Sequence, residues 1–202
     1  MRRNLTRILK AVKAMACAAL ILALAGAGIW YLGQAMEGRN ARADLESRWQ
    51  ESDPSRPKEV FQPGDVVGRL VVPRIDLDSP VVEMADVDDR ENLNKGPAHL
   101  AGSALPGRPG NCVIAGHRTT YSHPFFSLDV LREGDSVVLI DLSRVSYVYE
   151  VTQVLIVDPE EVWVMEPTPE ASVTLIACHP RFSARNRIVV RAVIRDREPA
   201  GT

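Results

Sequence analysis

The side chains of this chain that could do chemistry together are a thiol, Cys178, a guanidinium nine positions later, Arg187, and an imidazole, His117. Cys178 ends a strand-like stretch, and alternation along a strand places its thiol on the face opposite to Val173 and Leu175. The same parity argument leaves Arg187 off the apolar face of the next strand-like stretch. The thiol and the guanidinium could therefore open onto one surface.

A cysteine nucleophile acts as its thiolate and needs a base or a cation close by. Of the four histidines, His179 adjoins Cys178 but would point to the opposite face of the strand. His117 ends the strand-like run 113–116 and begins a polar turn, and catalytic side chains commonly lie at such strand ends. The sequence therefore favours His117 as the partner of Cys178.

Composition excludes several classes of function. The chain has 202 residues, 46% of them hydrophobic, which is enough for one domain plus an accessory segment. A net charge of −2 gives no basic surface for nucleic acid. No nucleotide-binding loop or paired Cys-x-x-Cys motif occurs, and the acidic clusters are interpreted as solvated loops, so neither a cofactor nor a metal is expected.

The cysteines are sparse and do not form a disulfide framework. A disulfide between Cys112 and Cys178 in an oxidising compartment is an alternative that the sequence does not exclude. Cys112 is better interpreted as a small buried hydrophobic residue, which is how most free cysteines behave.

The N-terminal region predicts a membrane anchor. Residues 14–33 carry no charge, and a helix of about 20 residues spans the roughly 30 Å hydrocarbon core. Basic residues in 1–13 predict a cytoplasmic N-terminus, with the remainder of the chain outside a cell membrane that is crossed once. A cleaved signal peptide is the alternative, although the apolar run exceeds the usual signal core. Residues 34–63 are polar and are interpreted as an extracytoplasmic linker.

The remainder of the chain predicts an all-β domain. Short β-rich runs alternate with turn signals, which favours a closed barrel or a sandwich. The runs are 68–72, 75–77, 80–83, 111–115, 136–141, 145–157, 173–178 and 187–194. A slip in apolar phase predicts a bulge or bend near Gln153. Short helical turns are expected within 86–92 and 125–131.

Three blocks of sequence resemble the signature blocks of the sortases, cysteine transpeptidases of the bacterial cell surface. They are Ala115-Gly116-His117-Arg118, Thr174-Leu175-Ile176-Ala177-Cys178 and Arg187-Ile188-Val189-Val190. The loop between Cys178 and Arg187 is most similar to class E, with class D next. The resemblance implies a closed eight-stranded β-barrel with one or two short helices over residues 64–195, followed by a tail at 196–202.

The resemblance also implies an activity. Cys178 would attack the Thr–Gly carbonyl of an LPxTG-like or LAxTG-like sorting signal, and His117 would protonate the leaving amine. An amine of a cell-wall precursor or of another protein would then resolve the thioester. Arg187 would hold the oxyanion, and its place just before a strand favours it over Arg181 and Arg185. The further candidates for substrate binding are Ala98, Thr174, Ile176 and Ala177.

One residue departs from the family pattern, because Ala177 stands where a threonine usually precedes the cysteine. This change affects the prediction of specificity more than that of activity, since a backbone N–H can still donate to the oxyanion. Three other interpretations stay open. They are an L,D-transpeptidase-like cross-linker, whose Ser-x-Gly-Cys motif is missing here, a non-catalytic binding module with a buried cysteine, and a cysteine protease that hydrolyses the thioester.

Overall fold

A computed structural model describes residues 2–55, 58 and 60–199, and its first element is a single long helix. Helix α1 runs over Arg2–Glu51 without interruption. Within it lies a stretch long and apolar enough to cross a membrane, none of which is buried against the protein. The first part of the predicted linker over 34–63 is therefore helical, to residue 51.

The last third of α1 is docked on the globular domain instead of hanging free. Leu45 and Trp49 are buried, and they share a small core with Val66, Val82 and Met84 of the barrel. These apolar residues are few and recur only along one face of the helix. Most of the remaining positions are polar and exposed or half-buried, which is why the segment resembles a linker by composition.

Eight strands close into a barrel in the order β1-β2-β3-β4-β7-β8-β6-β5. Their bounds are β1 Val66–Val72, β2 Leu77–Met84, β3 Ala98–Leu100, β4 Gly110–Ala115, β5 Ser136–Asp141, β6 Val145–Val157, β7 Ala171–His179 and β8 Asn186–Pro199. Strand β7 pairs in parallel with β4 and antiparallel with β8. The predicted closed eight-stranded all-β barrel is confirmed, with a long apolar helix before it.

Several local predictions need correction. The run 75–77 is not a strand of its own, because a 3-10 turn at Pro73–Ile75 precedes β2. Strand β3 was not predicted, since it has only three residues and no alternation to detect. Strand β8 continues into the predicted tail, where Pro199 pairs with Val145.

The short helical elements and the bulge agree better with expectation. Helix α2 covers Arg90–Leu93, and a 3-10 turn covers Leu128–Val130; the 3-10 turn at Val162–Met165 was not predicted. The register of β6 against β8 shifts between Val151 and Gln153, which confirms the predicted bulge. Inward-facing apolar residues of all the long strands fill the barrel with one continuous core.

Candidate active site

Cys178 and Arg187 face each other across paired strands. They are register partners in the antiparallel ladder of β7 and β8. Their neighbours Ala177 and Ile188 point inward and are 3% and 2% exposed. Because side chains alternate along a strand, the thiol and the guanidinium are both directed outward, where they line one cavity of about 310 Å³. The parity argument from the sequence agrees with this placement.

His117 reaches the same cavity from the end of β4. Strand β4 pairs with β7 as far as Ala115 and Ile176, and the Gly116 N–H extends the pairing by donating to the Ile176 carbonyl at 3.1 Å. A Cβ on Gly116 would lie 2.6 Å from the ring of Phe125. Glycine is therefore required for the close approach of the backbone before His117 to the Phe125 ring.

The imidazole of His117 is held by two side chains that sequence reasoning missed. Its Nε2–H donates to Asn94 Oδ1 at 2.8 Å, and its ring stacks on Tyr121 with centroids 5.0 Å apart and 27° between planes. The bond to Asn94 leaves Nδ1 as the nitrogen with a lone pair. Burial first, and then the cation of Arg90, lower the pKa of His117. The neutral ring that can accept a proton is therefore favoured.

Of the three arginines considered for the guanidinium role, Arg187 is the one that lines the cavity. Its Nη1 donates to the carbonyls of Ala184 and Asn186 at 3.0 and 3.1 Å. Those bonds hold Nη1 of the guanidinium in place and leave its other N–H donors for a ligand. Arg185 does not line this cavity.

Arg181 is engaged elsewhere, in a cluster next to the site. Its guanidinium lies 4.4 Å from the ring centroid of Phe126 and donates to Asp129 at 2.8 Å. Arg118, which is only 2% exposed, contacts the same carboxylate at 2.8 Å and donates to the Phe126 carbonyl. Arg181 thus ties the loop after Cys178 to the loop after His117, and Arg118 braces the latter from within.

The predicted substrate-binding residues fall into two groups. Ile176 and Ala177 line the cavity beside Cys178, although Ala177 also packs into the barrel core. Thr174 and Ala98 have no exposed surface and are not positioned to touch a ligand. Ala98 lies in the small core beneath α1.

Thr174 has a supporting position instead. It lies on the outer face of β7, as alternation predicts, but is covered. Its Oγ1 donates to Asn111 Oδ1 at 2.7 Å, and the Asn111 amide donates to the carbonyls of Val164 and Glu166 at 3.0 and 3.1 Å. This network fixes the segment after β6 that forms one wall of the cavity.

The walls of the cavity suit an extended, mostly apolar ligand. Apolar side chains come from β2, β4, β7, the segment between β2 and β3 and the segment around the 3-10 turn at 162–165, and acidic side chains are also present. The apolar lining includes Met84, Val87, Leu93, Val113, Val162 and Met165, and the acidic residues are Asp88, Asp158 and Glu161. An open cavity of this kind, with a few convergent polar groups, is typical of a ligand site.

The three cysteines are free thiols. Cys112 is buried and Cys178 is partly exposed, so the bridge between them that the sequence left open is not formed. Cys112 has the buried position expected of a small apolar residue. Within the described part of the chain, no group of three or more His, Cys, Asp or Glu side chains is placed to hold a metal ion.

Comparisons with known proteins agree with this geometry. A family model described as "Sortase domain" matches residues 70–195. Sortase SrtE1 of Streptomyces coelicolor is 28% identical over 169 residues, which cover 76% of this chain and 47% of that protein. Sortase D of Bacillus subtilis is 33% identical over 132 residues, which cover 64% of this chain and 63% of that protein. The chain thus matches about half to two thirds of the length of these two relatives.

A solved structure of sortase E from Streptomyces avermitilis superposes with a TM-score of 0.61 and 31% identity, covering 69% of this chain and 93% of that one. Relatives of classes D and E both match, so the particular resemblance to class E stays a prediction. The matched region contains most of the barrel, the whole lining of the cavity and all three candidate catalytic residues. The chain belongs to the sortase family, whose members are cysteine transpeptidases.

Proposed function

We propose that this protein is a membrane-anchored sortase with Cys178 as nucleophile, His117 as proton carrier and Arg187 as oxyanion ligand. Its substrates would be exported proteins that carry an LPxTG-like or LAxTG-like sorting signal. The observation that carries the proposal is the convergence of these three side chains on one apolar cavity, with Cys178 and Arg187 in direct register.

The first half of the reaction forms a thioester. Nδ1 of neutral His117 accepts the thiol proton as Cys178 Sγ attacks the carbonyl carbon of the Thr–Gly bond. The free donors of Arg187 stabilise the oxyanion, because a guanidinium presents its N–H groups as a fixed fork. When the carbon–nitrogen bond breaks, the imidazolium of His117 returns the proton to the leaving amine.

The second half transfers the acyl group. An incoming amine attacks the thioester carbonyl and loses a proton to His117, and the proton is passed to the departing thiolate as the new amide forms. The amine would come from a cell-wall precursor or another surface protein. Water in the same role would make the protein a cysteine protease, so the identity of the acceptor separates these two alternatives.

Helix α1 supports the proposed location. Its basic start, the uncharged run 14–33 and its length are consistent with one crossing of the cell membrane, with the N-terminus in the cytoplasm and contacts to lipid along the run. The barrel would then lie outside. A membrane-impermeant thiol reagent should label Cys178 in intact protoplasts; labelling only after lysis would contradict this orientation.

The activity is tested with the full chain in detergent and a panel of LPxTG-like and LAxTG-like peptides. We expect an acyl adduct on Cys178 by mass spectrometry, and a new amide product when primary amines are added. Cys178→Ser should abolish the adduct, while the matched variants Cys17→Ser and Cys112→Ser should retain it. Absence of both adduct and cleavage across the panel, or unchanged cleavage in Cys178→Ser, would refute the proposal.

A further inference from the structure

Helix α1 touches the loop that follows His117 at Gly38. This glycine is buried, and a Cβ placed on it would lie 2.4 Å from the backbone nitrogen of Ser122 and 2.6 Å from the carbonyl carbon of Tyr121. Real Cβ atoms do not approach a backbone so closely. The contact therefore exists only because residue 38 has no side chain.

The other glycines of the helix show that this one is different. Gly26, Gly28 and Gly33 have nothing within 4 Å of an added Cβ among the described residues. Glycine inside a helix costs about 1 kcal/mol relative to alanine. At position 38 the glycine, despite this cost, allows the helix backbone to approach the backbone of Tyr121 and Ser122 closely.

The approach at Gly38 is maintained by contacts farther along the same helix. Arg42 Nη2 donates to the Asp78 carbonyl at 2.7 Å, and Arg69 Nη1 donates to the Glu46 carboxylate at 2.8 Å. Trp49 is buried, and the guanidinium of Arg144 stacks on its ring at 3.6 Å from the centroid. The docked part of α1 thus holds Gly38 in a set place against the barrel.

On the other side of the contact, Tyr121 leads directly to the candidate catalytic residue. Its ring stacks on the imidazole of His117, and its φ of 54° lies in the left-handed region that non-glycine residues rarely adopt. Such a conformation persists when surrounding contacts impose it. The backbone of α1 at Gly38 is one of those contacts.

We propose that Gly38 and Tyr121 are positioning residues for His117: α1 sets the backbone of Tyr121 and Ser122, and the Tyr121 ring sets the plane of the imidazole. The role assigned to His117 rests on the proposed function, but the positioning itself does not. The helix that carries the apolar run therefore forms part of the support of the active site. Gly38 lies about 8 Å along the helix axis beyond Gly33, the last residue of the uncharged run.

The test uses the full chain in nanodiscs and compares Gly38→Ala with the matched control Gly33→Ala, which adds the same methyl group to the same helix in open space. The first readout is the NMR titration of the His117 Cε1–H signal, assigned with His117→Gln. We expect Gly38→Ala to move this signal and to raise its midpoint toward the ordinary value near 6.5, because the displaced loop exposes the ring. Gly33→Ala should leave both unchanged.

The second readout is peptide cleavage. A displacement of about 1 Å at a catalytic group can cost about 10²-fold, so we expect Gly38→Ala to lower kcat by about tenfold or more with little change in KM. Tyr121→Ala should reproduce both effects, and Tyr121→Phe, which keeps the stacking ring, should restore both. If Gly38→Ala does not fold, the Tyr121 pair decides the question.

A wild-type His117 titration in Gly38→Ala or in Tyr121→Ala would overturn the inference, whatever the peptide assay gives. Conversely, a wild-type protein that cleaves no peptide would count against the proposed function alone. In that case the altered titration in Gly38→Ala would still support the positioning by α1.

Discussion

The two halves of the candidate site are held in different ways. Cys178 and Arg187 are opposite each other in one ladder, so backbone hydrogen bonds between β7 and β8 determine their spacing. His117 lies beyond the end of β4, and its ring is held by two side chains outside the strand ladder, Asn94 from before β3 and Tyr121 from the following loop. One half depends on strand register and the other on side-chain contacts.

This difference has a consequence for how the site responds to change. A register cannot shift by a fraction of a residue, because a slip would turn every side chain to the other face. A ring held by one hydrogen bond and one stacking contact can be displaced gradually. We therefore expect substitutions near Cys178 and Arg187 to act on the chemistry of the altered group itself, and substitutions around His117 to act through its position and pKa.

The largest effect on activity is expected for Arg187→Lys, in the half of the site whose spacing the strand register determines. Lysine keeps the charge but lacks the fork of donors that the carbonyls of Ala184 and Asn186 orient. Loss of an oxyanion donor costs about 10²- to 10³-fold in kcat. Steady-state cleavage should show this loss with an unchanged melting temperature, whereas the control Arg185→Lys in the same loop should be nearly silent. A fully active Arg187→Lys would remove Arg187 from the mechanism.

A smaller effect on activity is expected for Asn94→Ala, in the half of the site that side-chain contacts hold. The substitution removes the acceptor that fixes the tautomer of His117, and kcat should fall by about tenfold, within the range by which a positioned acid–base group contributes. If Asn94 acts only through the imidazole, Asn94→Ala should cost nothing further in a His117→Gln background. Additive losses in this double-mutant cycle would contradict the proposed division.

The charge near His117 should affect the pH profile more than the rate. Arg90 disfavours the imidazolium, so Arg90→Gln should raise the pKa of His117 and shift the acidic limb of kcat/KM to higher pH. The control Arg195→Gln removes an exposed arginine paired with Glu150 on the barrel surface and should leave the limb in place. If the acidic limb moved to lower pH in Arg90→Gln, the charge of Arg90 would not be lowering the pKa of His117.

The smallest effect on activity is expected at a buried pair outside the site. His99 Nδ1 lies 2.6 Å from Glu83 Oε2 and joins β3 to β2. Burial opposes the imidazolium of His99, but the neighbouring Cys112 and Glu83 outweigh it and raise its pKa to about 10. Because the folded-state pKa exceeds the ordinary value near 6.5, the stabilisation is fully present below about pH 6.5 and is lost as the pH rises toward 10.

Urea unfolding of Glu83→Gln and wild type over this pH range tests the pair. The difference in the free energy of unfolding should be largest below pH 6.5 and should shrink as the pH approaches 10. Activity at neutral pH should change little in the variant. A difference that is constant with pH would mean that His99 is not protonated in the folded protein.

Much of the fold could be predicted because most strands are long enough to show alternation. The strand-like runs around Cys178 and Arg187 and the bulge near Gln153 follow from local patterns of apolar residues. Strand β3 could not be found, because three residues carry no period. The helix over residues 34–51 was missed because its docked face has few apolar residues, and its partner surface forms only when the barrel closes.

The candidate site divides in the same way. Parity along two strands predicted that Cys178 and Arg187 share a face, and a motif at a strand end pointed to His117. Nothing in the sequence connects Asn94 or Gly38 with that histidine, since they are far away along the chain. The burial of Thr174 and Ala98 was also unpredictable, because it depends on which segments pack over them.

The period-two patterns, the uncharged N-terminal run and the identity of the reactive side chains can be read without a structure, because they depend on neighbours along the chain. The tertiary structure alone decided which nitrogen of His117 is bonded, which arginine faces the cavity and where α1 meets the barrel. Those features depend on contacts between segments that come together only when the strands close, and local sequence carries no record of such distances.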